Sequence, residues 1–199
     1  MTKASYPLFQ SHLDVAHSYW NTLVKKGDVV IDATCGNGQD TLILAQLSLT
    51  PTQGYLYGID IQQRAVEITH QYLKQHLAPA FLARISLINQ CHSDFPQEIS
   101  PESVRLITYN LGYLPGGGNK NLTTRVETTL ESLKKALFLI QKGGAVSITL
   151  YPGHPEGQRE EEKILLWAKE LSPFQWNCCH HQWINRFKSP SLLLIQRNL

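Results

Sequence analysis

Short apolar runs alternate with amphipathic stretches along almost the whole chain. The runs at 29–32, 55–60, 85–90, 104–109, 145–151, 174–183 and 192–196 read as strands. Between and before them, apolar residues recur at helical spacing over 8–24, 40–47, 62–75, 124–140 and 158–171. Within 124–140, Val126, Leu130, Leu133, Leu137 and Ile140 share one face, and Thr124 with Glu127 has the pattern of a capping box. Alternating strands and helices predict a mostly parallel sheet with helices on both faces. The last two runs have no helix between them, so they should pair as an antiparallel hairpin joined through 185–190. The expectation is a seven-stranded α/β fold forming one domain over 1–199, with a helical N-terminal segment inside 1–27 and no internal repeat or linker.

Composition narrows the classes. With 199 residues and 42% hydrophobic content the chain can bury a full core without disulfides. A net charge of +2 is too small for a polycation, so any nucleic-acid surface must be local. No apolar run approaches the ~18 residues of a membrane span, and the first residues lack the apolar core of a secretory signal, so a cytoplasmic protein with no membrane partner is expected. Cys35, Cys91, Cys178 and Cys179 show no CxxC spacing and are expected as thiols. No metal is expected at Cys178, Cys179, His180 and His181, because neighbouring strand residues point to opposite faces. Glu160, Glu161 and Glu162 read as a solvated first helical turn.

Candidate chemistry begins where the first strand ends. Asp32 is followed by Thr34, Cys35, Gly36, Asn37 and Gly38, and then by Asp40 and Thr41, which open a helix. The two glycines let the backbone turn sharply and approach a ligand. A dinucleotide loop wants a third glycine where Thr41 stands, and Asp40 would face a pyrophosphate, so NAD is disfavoured. S-adenosylmethionine (SAM), with its sulfonium and ammonium and no phosphate, suits these acids better. The layout resembles motif I of class I SAM-dependent methyltransferases, which have a Rossmann-like fold. Asp60, about 20 residues beyond the glycines, is the ribose candidate, with Ile61 and Gln62 beside it. Asp94, with Ser93, is the adenine candidate.

The fourth strand leads into a candidate substrate loop at its carboxyl end, where α/β sheets place ligands. Asn110 and the Leu111 carbonyl can accept the hydrogens of an amine, and the Tyr113 ring can stack on a base. The segment 110–113 resembles the Asn/Asp-Pro-Pro-Tyr motif of amino-directed methyltransferases, with both prolines replaced. His154, after the fifth strand, is a candidate to receive a proton or contact a phosphate. Lys120, Arg125, Lys134, Lys135, Arg186 and Lys188 are candidate phosphate contacts.

Together, residues 32–38, Asp40, Thr41, 60–62, 110–117 and 151–157 resemble the MnmM family, formerly labelled rRNA methylases, and the similarity runs from Ala16 to about Ser191. The resemblance implies methyl transfer from SAM, giving S-adenosylhomocysteine (SAH), to the 5-aminomethyl group of a modified, often 2-thiolated, uridine at tRNA wobble position 34. It also implies a homodimer acting on the anticodon stem-loop, with Asn110, Leu111, Tyr113 and His154 at the reaction centre. Tyr113, Pro115, Gly116, Gly117, Lys120 and Arg125 would form the substrate side. Read from the residues alone, three alternatives stay open: a methyltransferase for small-molecule amines, one for rRNA or DNA amino groups, and a non-catalytic SAM-binding module.

Overall fold

The computed structural model describes residues 9–112, 124–186 and 188–199. Elements follow in the order α1 (His12–Leu23), β1 (Val29–Asp32), α2 (Gln39–Ser48), β2 (Tyr55–Asp60), α3 (Gln63–His76), α4 (Pro79–Leu82) and β3 (Ile85–Asn89). Then come β4 (Val104–Asn110), α5 (Val126–Leu139), β5 (Ile140–Leu150), α6 (Pro155–Lys169), β6 (Trp176–His181) and β7 (Ser191–Arg197). The seven strands form one sheet in the order β3-β2-β1-β4-β5-β7-β6. The first five run parallel, while β7 pairs antiparallel with both β5 and β6, as the missing helix between them required.

Both faces of the sheet are covered, which is why its central strands read as continuous apolar runs. On one face Val30, Leu56 and Leu106 pack with Ala16 and Trp20 of α1 and Leu44 of α2. On the other, Ile31, Ile107, Tyr109 and Ile148 pack with Leu133 and Ala136 of α5 and Ile164 of α6. Helix α1 starts at a reciprocal capping box between Ser11 and Asp14. Trp20 anchors it to the sheet, donating from its indole nitrogen to the Ser147 hydroxyl on β5 at 2.9 Å.

Strand order reverses between β1, whose next neighbour outward is β2, and β4, whose next neighbour outward is β5. In doubly wound sheets the ligand crevice opens at such a point, outside the carboxyl ends of the strands. Parallel register sets Asp32 beside Thr108, and Asn110 beside Thr149 on β5.

Local starts depart from expectation where tertiary partners intervene. The Thr124 capping box does not form: α5 begins at Val126, its N-cap Arg125 makes no side-chain cap bond, and the Thr124 hydroxyl is taken by Glu160. Helix α6 begins at Pro155 rather than 158, because His154 serves as its N-cap. Glu160 therefore lies in the second turn and is buried, and Glu161 is half-buried against Ser191. Only Glu162 is exposed as a solvated run would require. The single-turn α4 carried no periodicity to betray it.

Candidate active site

A cavity of about 760 Å³ opens at the strand-order reversal. Its floor is the loop after β1. Gly36 and Gly38 both adopt positive φ, 52° and 81°. At Gly38 a Cβ would also lie 3.1 Å from the Thr69 Cα, so α3 packs directly against the turn. Asp32 is fully enclosed beneath the loop, accepting from the Thr41 hydroxyl at 2.6 Å and the Thr34 N–H at 3.2 Å. Burial pushes its carboxyl up to about 7, against those two hydrogen bonds. Asp32, Gly38 and Thr41 thus shape the loop from behind, while Thr34, Cys35, Gly36, Asn37 and Asp40 line the cavity.

From the end of β2, Asp60 closes the loop from the side. Its two oxygens accept the N–H groups of Gly36 at 3.0 Å and Gln62 at 2.9 Å. Burial raises its pKa, and these two bonds oppose the shift. Ile61 and Gln62 complete this wall, and Ile61 leaves its apolar side chain 65% exposed at the cavity.

The third strand places its residues differently from expectation. Cys91 and His92 line the cavity, but Ser93 and Asp94 do not. The Asp94 side chain is 70% exposed and pairs with Lys135 at 3.4 Å, and the same ammonium donates to the Ser93 carbonyl. The chain turns outward after His92 because the His92 carbonyl is captured by the buried Ser132 hydroxyl of α5. The His92 ring, edge-on to Tyr109, is held neutral by burial, its pKa lowered to about 4.

Asn110 stands at the junction of the two halves. The Thr34 hydroxyl accepts its backbone N–H at 2.7 Å, and its side-chain Nδ2 donates to Asp40 Oδ2 at 2.7 Å. The Asn110 Oδ1 is buried and has no hydrogen-bond partner among the described residues. Asp40 Oδ1 in turn receives His17 Nε2 at 2.8 Å. Leu111 and Gly112 follow on the cavity wall. The expected site residues Tyr113, Pro115, Gly116, Gly117 and Lys120 lie outside the described residues.

Gly112 and Thr124 grip each other in both directions. The Thr124 hydroxyl accepts the Gly112 N–H at 2.9 Å, and the Thr124 N–H donates to the Gly112 carbonyl at 3.1 Å. Glu160 holds this clasp from below, accepting from Thr124 and Thr129, each at 2.6 Å. Its burial raises its pKa, and those bonds oppose the rise.

His154 borders the cavity, but its Nδ1 accepts the Gly157 N–H at 3.1 Å. A ring so engaged caps the start of α6 through Nδ1. Arg125 and Lys188 stand at the rim, and Lys134, Lys135 and Arg186 are not among the lining residues. Sequence reasoning missed Leu13 and His17 of α1, and Tyr151, whose hydroxyl lies 3.4 Å from His12 Nε2. Burial pushes the Tyr151 pKa up to about 12, with the Asp40 charge adding to it. Among the described residues, no group of three or more Cys, His, Asp or Glu is placed to hold a metal, and no helix is long and apolar enough to cross a membrane.

Comparison with known proteins gives consistent results. Residues 56–197 match the family model described as "Putative rRNA methylase". A curated Arabidopsis thaliana protein, named tRNA (mnm(5)s(2)U34)-methyltransferase, chloroplastic, is 41% identical over 187 residues, covering 92% of this chain and 68% of its own. A Clostridium thermocellum structure described in the same words as the family superposes with a TM-score of 0.87 at 34% identity, covering 95% of this chain and 98% of its own. A Streptococcus mutans protein solved in complex with SAH gives 0.81 at 28% identity, covering 96% and 99%.

Proposed function

The chain belongs to the rRNA methylase family, and from that premise we propose that it is a SAM-dependent N-methyltransferase converting 5-aminomethyl-(2-thio)uridine to 5-methylaminomethyl-(2-thio)uridine at tRNA position 34. One observation carries the reading. Asn110, an acceptor suited to an amine, opens onto the same cavity as the Gly36–Gly38 loop and Asp60. The relative named for mnm5s2U34 supports the choice of nucleoside, and the neighbour solved with SAH supports the cofactor.

The residues present fit SAM. The positive-φ loop leaves room for close backbone approach, and each Asp60 oxygen keeps a lone pair for a ribose hydroxyl beyond its loop bond. Exposed Ile61 and the neutral His92 wall offer apolar and uncharged surface for adenine, taking over the place expected for Asp94. Asp40 supplies negative charge for the cationic end. When bound, SAM would supply an electrophilic methyl group for the amine lone pair, with neutral SAH as the leaving group and the positive charge passing from sulfur to nitrogen. An alkylamine is mostly protonated at neutral pH, so the site must favour the neutral form. Desolvation by the cavity walls does so, and Asn110 Oδ1 with the Leu111 carbonyl would accept the remaining N–H groups and aim the lone pair. Arg125 and Lys188 would meet phosphates at the rim. Tyr113, Pro115, Gly116, Gly117 and Lys120 are proposed for the substrate side on the family resemblance alone. The same reading carries a cytoplasmic, homodimeric enzyme of one domain, testable by fractionation and sedimentation.

The direct test incubates the purified protein with SAM and tRNA bearing 5-aminomethyl-2-thiouridine, followed by nucleoside mass spectrometry. A gain of one methyl on that nucleoside is expected. Methylation of free amines instead, or of another RNA nucleoside, would replace this substrate with one of the alternatives.

A further inference from the structure

We propose that His17 of α1 is a positioning residue for methyl transfer, acting through Asp40 to fix the Asn110 amide with its oxygen presented as an acceptor. The role in transfer rests on the function proposed above. The bond network does not.

The amide of an asparagine has two orientations of nearly equal shape and opposite polarity. A carboxylate only accepts, so Asp40 Oδ2 at 2.7 Å selects the one in which Nδ2 faces it. Oδ1 is thereby turned away from Asp40, buried and without a partner among the described residues. A buried acceptor left unpaired is costly, and an incoming amine N–H would relieve that cost. The reverse orientation would present an NH2 group, which competes for the very lone pair that must attack.

Asp40 holds that orientation only if it is itself held. His17 Nε2 binds the other carboxylate oxygen at 2.8 Å, so the carboxylate is gripped from both sides. The His17 ring packs on Trp20 at 4.8 Å between centroids, and Trp20 is tied to β5 through Ser147. The chain of contacts thus runs from the sheet through α1 and α2 and back to the end of β4. Helix α1 lies outside the strand–helix alternation, yet it supplies the link that determines which atom of Asn110 meets the substrate.

The test compares His17→Ala and His17→Gln with the wild type. Glutamine carries an N–H donor at similar reach, so it should keep the grip that alanine loses. For His17→Ala, kcat on tRNA should fall about tenfold or more, with the Kd for SAM within about threefold of wild type. His17→Gln should recover most of the rate. The second measurement needs no activity: the Asn110 side-chain amide protons, followed by NMR, should exchange with solvent slowly in wild type and His17→Gln and faster in His17→Ala. Equal rates and equal amide protection in all three would overturn the proposal, as would a glutamine variant as impaired as alanine at an unchanged melting temperature. If the wild type leaves tRNA unmethylated, the functional reading falls, and the amide exchange still decides whether His17 holds Asn110.

Discussion

Asp32 and Asp60 end adjacent parallel strands, yet their surroundings assign them different work. Asp32 is enclosed and raised to about 7 from 3.8. A carboxyl raised on folding adds stability that is fully present below its unfolded value and lost as pH rises through its folded value. Its contribution therefore fades between about pH 4 and 7. Asp32→Asn removes that titration, so urea unfolding at pH 5 and pH 8 should show the wild type losing more stability than the variant across the interval; parallel losses would contradict the burial argument. Asp60 borders the cavity, and Asp60→Ala strips two loop N–H groups and the proposed ribose hydroxyls of their acceptor. SAM affinity measured by calorimetry should weaken by ~1–3 kcal/mol, the range for hydrogen bonds to a charged group. Unchanged affinity would mean the ribose lies elsewhere.

Between elements, the Gly112–Thr124 clasp ties the end of β4 to the start of α5, with Glu160 of α6 beneath it. Thr124→Val keeps the side-chain shape but removes the hydroxyl, leaving the Gly112 N–H unpaired and Glu160 with one donor fewer. Stability should fall by ~1–3 kcal/mol, and turnover on tRNA should drop while SAM binding persists; a variant as active as wild type would show that this joint plays no part in catalysis. The same joint shows what a sequence does and does not reveal. Apolar runs located the central strands because both faces of the sheet are covered there, the exposed edge strand β6 was found as the partner that β7 needed, and Asn110 could be found because a strand end before a loop is a local feature. Thr124 and Glu127 make a good local capping pattern, but Glu160, remote in sequence, competes for the hydroxyl and wins. Asp94 looked like its counterparts at the ends of β1 and β2 until Ser132 and Lys135 of α5 turned it outward. His17 was unreadable, since nothing around it in sequence announces Asp40.

At the scale of the whole molecule, a net charge of +2 leaves RNA binding to a few well-placed cations. Arg125 and Lys188 are the described ones at the cavity rim. Replacing both with glutamine should raise the KM for tRNA, leave SAM affinity alone, and lessen the slope of log K against log salt by about 1.5, as expected for two lost phosphate contacts. An unaltered salt slope would direct RNA to another face. Strand order also has a consequence in time. The glycine loop follows β1, at the centre of the sheet, but the strand that locks it, β4 with Asn110, is made only after β2 and β3. Ribosomes add ~5–20 residues per second, so from Cys35 to Asn110 the nascent chain holds an unlocked loop for roughly 4–15 seconds. Throughout that interval the inner edge of β1 awaits its partner, and the glycine loop stays unlocked although the acids before it are already in place, because the Asn110 N–H that Thr34 accepts has yet to be synthesised.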